Sequence, residues 1–144
     1  MVSIWLNQIP IESTRPKVIN PNLYISSSGK RGIGVFTKKA IPANTTIEIS
    51  PVIVLPTKQV KSLLKTKMAS YVFKWGESAR KLGLALGYGS LYNHSYSSNC
   101  QYTSDFKKNL LVIKTRRKIE KNEELFVNYN HQWNDKTPVW FDVQ

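Results

Sequence analysis

The stretch Leu91-Tyr92-Asn93-His94-Ser95-Tyr96-Ser97-Ser98-Asn99-Cys100 is rich in side chains that form hydrogen bonds. Asparagine, histidine and serine fill six of its ten positions. These residue types bond to nearby backbone groups, so the stretch by itself predicts a structural turn more readily than a functional site. A serine–histidine–carboxylate triad is not indicated, because no serine here lies in the small-x-Ser-x-small turn of the hydrolases. The segments before and after this stretch decide what it means.

A glycine-containing segment, Arg31-Gly32-Ile33-Gly34, lies upstream of this stretch. Glycine lets the backbone approach a ligand or another chain closely. Alone, the segment predicts a turn or a β-bulge. It is not a dinucleotide-binding fingerprint, because the third glycine and the following helix are missing.

A third segment, Glu123-Glu124-Leu125-Phe126-Val127-Asn128-Tyr129, lies downstream. Its apolar residues predict a short strand that ends at Tyr129. Tyrosine commonly buries its ring and leaves its hydroxyl group near water, so this segment alone predicts a core tyrosine.

Together, the order and spacing of the three segments resemble the SET-domain protein-lysine methyltransferases. The resemblance extends from about Tyr24 to Tyr129 and on towards Trp140, which is most of the chain. It implies a mainly β fold (β-rich α+β) of small sheets, with a pseudoknot and one or two short helices. It also implies one domain over residues 1–144, with a core at about 22–130 and a post-SET-like segment at 131–144. The implied reaction transfers a methyl group from S-adenosyl-L-methionine to the ε-amine of a protein lysine, in a histone or another chromatin or basic protein.

The resemblance also implies which residues bind the cofactor. The loop that holds the methionine part corresponds to the glycine-containing segment, and Asn93 with His94 corresponds to the pair that contacts the cofactor and locks the knot. Trp140 resembles the aromatic residue that stacks on adenine, and Trp133 is the alternative candidate for this contact. The implied cofactor-binding residues are Arg31, Gly32, Ile33, Gly34, Asn93, His94, Tyr129 and Trp140.

The implied catalytic residues are two tyrosines. Tyr129 corresponds to the tyrosine beside the transferred methyl group, and Tyr102 to a tyrosine in the channel for the substrate lysine. A hydroxyl group at Tyr102 would crowd out a second methyl group, so we expect mono-methylation rather than tri-methylation. The residues expected to line the channel are Tyr92, Tyr102 and Phe126.

Composition limits the other classes of protein. The 144 residues suffice for one domain, and 41% of them are hydrophobic, which is a globular composition. No apolar run approaches the roughly 20 residues of a membrane span, and the N-terminus is a poor signal peptide. A single cysteine, Cys100, and two distant histidines predict no disulfide framework and no metal site. We therefore expect an intracellular protein, in the cytoplasm or, in a eukaryote or a virus, the nucleus, and either a monomer or a homodimer.

The net charge of +12 indicates an anionic partner, with nucleic acid as the first expectation. Two alternatives to the enzyme therefore stay open: a small basic β-rich nucleic-acid-binding module, and a catalytically silent SET-like interaction domain. A basic enzyme would also repel a basic substrate. Either the target is not very basic, or residues 58–81 dock on nucleic acid or an acidic partner, or the substrate groove is locally acidic, lined by Glu48, Asp105, Glu123, Glu124, Asp135 or Asp142.

Turn residues separate short apolar runs along most of the chain, which predicts strands. The predicted strands are residues 23–26, 33–37, 45–49, 52–55, 71–73, 109–115 and 125–127. One helix is predicted from Thr57 as its capping residue to about Met68, because Val60, Leu63 and Leu64 follow helical spacing. Residues 84–90 fit either a tight turn or close packing.

Overall fold

A computed structural model describes residues 19–139 of the chain, and the prediction of a mainly β fold is confirmed. The strands are β1 (Leu23–Ser27), β2 (Ile33–Thr37), β3 (Thr46–Leu55), β4 (Val72–Trp75), β5 (Lys81–Ala85), β6 (Asn93–His94), β7 (Cys100–Asp105), β8 (Leu110–Thr115) and β9 (Glu124–Val127). One α-helix, α1 (Thr57–Leu63), and two 3₁₀ helices, Gly29–Arg31 and Lys67–Tyr71, complete the described part.

The strands form two sheets. One has the order β1-β2-β9-β6 and the other has the order β4-β5-β3-β8-β7. The pairing of β6 with β9 is parallel, with Asn93 opposite Phe126 and His94 opposite Val127, while the other pairs are antiparallel. This parallel pair brings the Asn-His-Ser stretch beside the strand that leads to Tyr129, although the paired residues are 33 positions apart in the chain.

The strands predicted on either side of Pro51 form one continuous strand, β3, so that boundary was wrong. Pro51 lies where β3 stops pairing with β8, at Leu110, and begins to pair with β5 at Val52. Proline has no N–H to donate, and this junction between two partners is a position that does not need one. The Pro51 carbonyl still accepts a bond from the Leu86 N–H at 2.9 Å.

The predicted helix is real but shorter than expected, and its cap was assigned wrongly. Pro56 occupies the capping position and no side chain caps the first turn. The helix ends at Leu63, and a 3₁₀ helix follows whose first turn is capped by Thr66, which accepts the Met68 N–H at 3.2 Å. This break directs the chain into β4, which confirms the strand predicted around Val72 and Phe73.

The buried core lies between and within the two curled sheets. Its largest fully buried apolar side chains are Trp75, Tyr92, Ile47, Leu111, Ile113, Ile119, Leu125, Val35 and Val127. A carboxyl group, that of Glu48, is buried among them. Gly87 has a φ of +68°, and a Cβ there would lie 2.7 Å from Glu48 Oε1, so the turn after β5 requires glycine on both counts.

Candidate active site

Asn99 joins the Asn-His-Ser stretch to the tyrosine strand. Its side-chain N–H donates to the Glu124 carbonyl at 2.8 Å, and its side-chain oxygen accepts the Phe126 N–H at 2.8 Å. Asn99 is only 2% exposed, so water does not compete for these two bonds. The amide therefore substitutes for a neighbouring strand along β9 and holds the two crossing segments in register.

Asn93 joins the same strand to the glycine-containing segment. Its amide donates to the Ile33 carbonyl at 3.1 Å and to Glu124 Oε1 at 2.8 Å. The Ser28 hydroxyl donates to the same carboxylate. Gly34 lies directly against these groups, and a Cβ at this position would overlap the Glu124 carboxyl group and crowd the Asn93 amide. Glycine is therefore required here for space.

Gly32 differs from Gly34, because it is required for its backbone angles. Its φ is +83°, and a Cβ would meet no atom within 4 Å. The turn carries Arg31, an exposed residue whose guanidinium lies 5.3 Å from the centre of the Phe126 ring.

His94 holds Tyr129 from the backbone side. The Tyr129 N–H donates to His94 Nδ1 at 3.1 Å, and the two ring centres are 5.2 Å apart. Nδ1 must be unprotonated to accept this bond. Burial lowers the pKa of His94, which favours the neutral ring that this geometry needs.

The Tyr129 hydroxyl group donates to the Tyr92 carbonyl at 2.9 Å. Burial raises the pKa of Tyr129 to about 12, so its hydroxyl group stays protonated at neutral pH. The hydroxyl group can therefore orient a reacting partner by hydrogen bonding, but it does not serve as a strong base.

A cavity of about 660 Å³ opens beside Tyr129, and seven of its nineteen lining residues are aromatic. Burial raises the pKa of Tyr102 to about 12 as well, so Tyr102 and Tyr129 are both neutral at neutral pH. Lys74 and Asp135 are the charged residues of the lining. The aromatic residues of the lining are Tyr71, Phe73, Tyr92, Tyr102, Phe106, Tyr129 and His131.

Comparison with known proteins identifies the architecture. The model of the SET domain family matches residues 32–130, which is more than half of the chain. The chain belongs to the SET-domain family. It is 38% identical over 121 residues to the Schizosaccharomyces pombe histone-lysine N-methyltransferase specific for H3 lysine 37, a match that spans 83% of this chain and 81% of the relative. The enzyme class predicted from the sequence, a protein-lysine N-methyltransferase, is thereby confirmed.

A crystal structure also matches this SET domain. It is that of a Plasmodium falciparum protein described as a candidate histone methyltransferase, with a TM-score of 0.62 and 29% identity. The match covers 80% of this chain and 98% of the other. No helix in the part of the chain that the structure describes is long and apolar enough to cross a membrane. Within the same residues, no three His, Cys, Asp or Glu side chains group as metal ligands would.

Most of the predicted site residues of the SET domain form two neighbouring groups, one that lines the cavity and one next to it. Tyr102 and Tyr129 line the cavity. The glycine-containing segment, Asn93 and His94 are not part of its lining, but they connect to it through the contact of His94 with Tyr129.

Two predicted residues have other surroundings than expected. Tyr92 borders the cavity, but it is 1% exposed and its hydroxyl group donates to Glu48 at 2.7 Å. Phe126 does not line the cavity. It alternates along β9 with the buried Leu125 and Val127, and its ring lies under the Arg31 guanidinium. Trp140, the predicted adenine contact, lies outside the described residues.

Trp133, the alternative candidate for stacking on adenine, already has a partner on one face of its ring. The Arg116 guanidinium lies 3.5 Å from the centre of its ring, while the side chain is 44% exposed overall. Arg116 also donates to the Ser98 carbonyl at 2.6 Å, so this cation–π pair closes the loop of the Asn-His-Ser stretch.

Sequence reasoning missed Tyr71 and Phe73 as residues of the site, and it expected Glu48 in the wrong surroundings. The first two were interpreted only as the start of a strand, and nothing local shows that both line the cavity. There the ring centre of Phe73 is 5.2 Å from that of Tyr102. Glu48 did carry a signal, since it interrupts the apolar pair Ile47 and Ile49. We expected it in a groove, yet it is fully buried and bonded to Tyr92, Ser50 and the Tyr88 N–H.

The expectation of an acidic groove is not met in the described part. Of the described candidates, Asp135 alone lines the cavity. Glu123 binds Arg117, Asn99 and the Glu120 N–H, while Glu124 binds Ser28 and Asn93. Asp105 accepts the N–H groups of the following turn, and Asp142 lies outside the described residues.

Proposed function

We propose that the protein transfers a methyl group from S-adenosyl-L-methionine to the ε-amine of a lysine in a histone or another basic chromatin protein. A single observation carries the proposal. Tyr129 forms part of an aromatic cavity with its ring, and the same residue is bonded through its backbone N–H to His94 of the predicted cofactor segment. The two halves of the predicted site thus meet at one residue.

The residues present fit the cofactor. Gly32, with its left-handed backbone and open surroundings, can approach a ligand closely, and Gly34 lets the loop pack tightly against Asn93. Arg31, Gly32, Ile33, Gly34, Asn93 and His94 would hold its methionine part, with Trp140 proposed for the adenine. When bound, the cofactor supplies an electrophilic methyl group on a sulfonium, whose positive charge also disfavours a protonated amine nearby.

The cavity would prepare the substrate lysine. A lysine amine has a reference pKa of about 10.4 and must be neutral to attack a methyl group. The aromatic walls formed by Tyr71, Phe73 and Tyr102 would remove water from the amine and lower its pKa. The neutral Tyr129 hydroxyl group would then align the lone pair of the amine for in-line attack, which is catalysis by positioning.

Tyr102 is proposed to limit the number of methyl groups added. Its hydroxyl group lies at 3.5 Å from the Tyr129 carbonyl, a long and weak bond that a substrate amine can replace. Its ring is fixed between Phe73 and His131 by edge-to-face contacts at 5.2 and 5.1 Å. The hydroxyl group would therefore stay in the space that a second methyl group needs.

The substrate class and the location follow from the relative. The yeast enzyme is named for histone H3 lysine 37. We extend to this chain only the class of substrate, a lysine in a basic chromatin protein, and with it an intracellular site of action.

Replacing Tyr129 with Phe tests the proposal. The variant keeps the ring contacts but loses the hydroxyl group, so we expect cofactor binding within about threefold of wild type and a loss of turnover of about 10²-fold or more, in the range of other lost positioning donors. Binding is measured by calorimetry with S-adenosyl-L-methionine, and turnover by mass spectrometry of histones.

Tyr24→Phe is the matched control, because Tyr24 stacks on Phe36 in β1 and β2, away from the cavity. It should behave as wild type in both measurements. Unchanged turnover in Tyr129→Phe would refute the role of the hydroxyl group. Cofactor binding with no methylation of any lysine-rich protein by the wild type would instead identify a silent interaction domain.

A further inference from the structure

A cationic surface borders the aromatic cavity. We define this basic surface by nine exposed side chains on α1, the turn after it, the following 3₁₀ helix, the β4–β5 hairpin and the β7–β8 turn. They are Lys58, Lys61, Lys65, Lys67, Lys74, Arg80, Lys81, Lys107 and Lys108. The same segments contain only two carboxylates, those of Glu77 and Asp105.

The elements that carry the basic surface contact one another. Helix α1 packs against β5, and β4 pairs with β5. Trp75, at the end of β4, donates its indole N–H to Asn109 at 3.2 Å and meets the Phe106 ring edge-on at 5.2 Å, which joins the hairpin to the β7–β8 turn. Lys74 and Phe106 also line the cavity, so the surface reaches its mouth.

The charges of the basic surface are not neutralised within the described residues. The ion pairs found between residues 19 and 139 join Arg117 to Glu123 and Lys118 to Glu120, and neither involves the nine cations. Clustered like charges repel one another and attract anions over a Debye length of about 8–10 Å. A polyanion that binds here removes the free-energy cost of holding these like charges close together.

The cavity alone gives a basic substrate little attraction. Its charged lining is one cation, Lys74, and one carboxylate, Asp135. A net charge of +12 on the enzyme repels a lysine-rich protein. A polyanion that contacts both proteins would turn this repulsion into attraction.

We propose that the basic surface binds duplex DNA through its phosphates, and that the enzyme acts on a basic protein while that protein is bound to DNA. Duplex DNA carries one negative charge per about 1.7 Å of its axis, which suits lysines dispersed over four elements without a pocket. The proposal that this surface binds DNA does not depend on the proposed methyl transfer. The proposal that DNA presents the substrate does depend on it.

The test compares two triple variants that lose the same charge. The α1 variant combines Lys58→Gln and Lys61→Gln on α1 with Lys65→Gln in the turn after it, and none of these three lysines lines the cavity. Lys38→Gln with Lys39→Gln and Lys121→Gln alters exposed residues near the other sheet. Binding to a short fluorescent duplex is measured by anisotropy between about 50 and 200 mM salt.

The wild type should bind DNA with an affinity that falls steeply as salt rises. The α1 variant should reduce the slope of log affinity against log salt by about 3, one for each phosphate that the protein no longer neutralises, and the control variant should keep the wild-type slope. Four results would each overturn the proposal that this surface binds duplex DNA. They are equal slopes for both variants, no binding of DNA, tighter binding of single-stranded RNA, and displacement of the duplex only by polyglutamate.

A second measurement tests the presentation of substrate. The wild type should methylate nucleosomes several-fold faster than free histones, and the α1 variant should lose this preference while keeping its rate on free histones. A preference that survives in the variant contradicts the proposal. If no histone is methylated at all, the proposed function fails, yet the anisotropy result still decides whether DNA binds.

Discussion

Three tyrosine hydroxyl groups at the site differ in how firmly they are held. Tyr92 donates to buried Glu48 at 2.7 Å, and Tyr129 donates to the Tyr92 carbonyl at 2.9 Å. Tyr102 has a hydroxyl contact of 3.5 Å with the Tyr129 carbonyl. The first two are part of the framework, whereas the third is free to exchange its partner for a substrate amine.

Replacing Tyr102 with Phe should therefore change the product and spare the framework. Loss of the hydroxyl group opens room beside the amine, so we expect a shift from mono-methylated towards di- and tri-methylated lysine at a rate within about tenfold of wild type. The methyl states are counted by mass spectrometry of the substrate peptide. An unchanged distribution would show that Tyr102 does not control the product.

At the scale of elements, the site depends on a crossing of chain segments. Strand β6 is two residues long and pairs with β9 in parallel, an arrangement that so few backbone bonds cannot hold alone. Asn99 adds bonds to β9 at both Glu124 and Phe126, and Asn93 adds a bond to the Ile33 carbonyl. Side-chain amides thus complete a sheet that the backbone only begins.

Replacing Asn99 with Ala should weaken this crossing. The Glu124 carbonyl and the Phe126 N–H would lose their partners, and each buried group left unsatisfied costs about 1–3 kcal/mol of unfolding free energy. Chemical denaturation gives the loss of stability. The control, Asn134→Ala, removes the amide of an exposed asparagine and should lose little stability. Equal losses in both variants would argue against the two-bond clamp.

At the scale of the molecule, Glu48 couples the core to the site. Burial raises its pKa above the ordinary value, although the hydrogen bonds from Tyr92, Ser50 and Tyr88 act in the opposite direction. Glu48 lies on β3, the strand that pairs with both halves of the larger sheet. It accepts the hydroxyl group of Tyr92, and the Tyr92 carbonyl in turn accepts the hydroxyl group of Tyr129. One buried carboxyl group therefore affects both folding and the site.

Glu48 should make stability depend on pH. Because the pKa of the carboxyl is higher in the folded protein, the unfolded chain releases its proton first as the pH rises above about 4.5, and the folded state loses stability up to the folded pKa. Glu48→Gln keeps an acceptor oxygen but does not titrate. We expect it to gain stability relative to wild type across this interval in denaturation series at several pH values. If the difference in unfolding free energy between the variant and wild type does not change with pH, a raised pKa of Glu48 is excluded.

Local residue patterns predicted several parts of the structure well. Strand β2 has the predicted limits, since β-branched and apolar residues between turns report directly on an extended backbone. The order of the three motifs also predicted the family, although the geometry that joins them is not local. Strands β6 and β7 were not predicted, because most of their residues are polar. The partner of β6 is also far away in the sequence, whereas β7 pairs with the next strand, β8.

The sequence by itself thus determined the fold class, the family, and the candidates Asn93, His94 and Tyr129. The tertiary structure alone decided which side chains share the aromatic cavity, that Phe126 does not line it, and that Glu48 is buried. The physical reason is that motifs and turns depend on neighbours in the chain, whereas burial and cavity walls depend on segments that meet only when the sheets curl and cross.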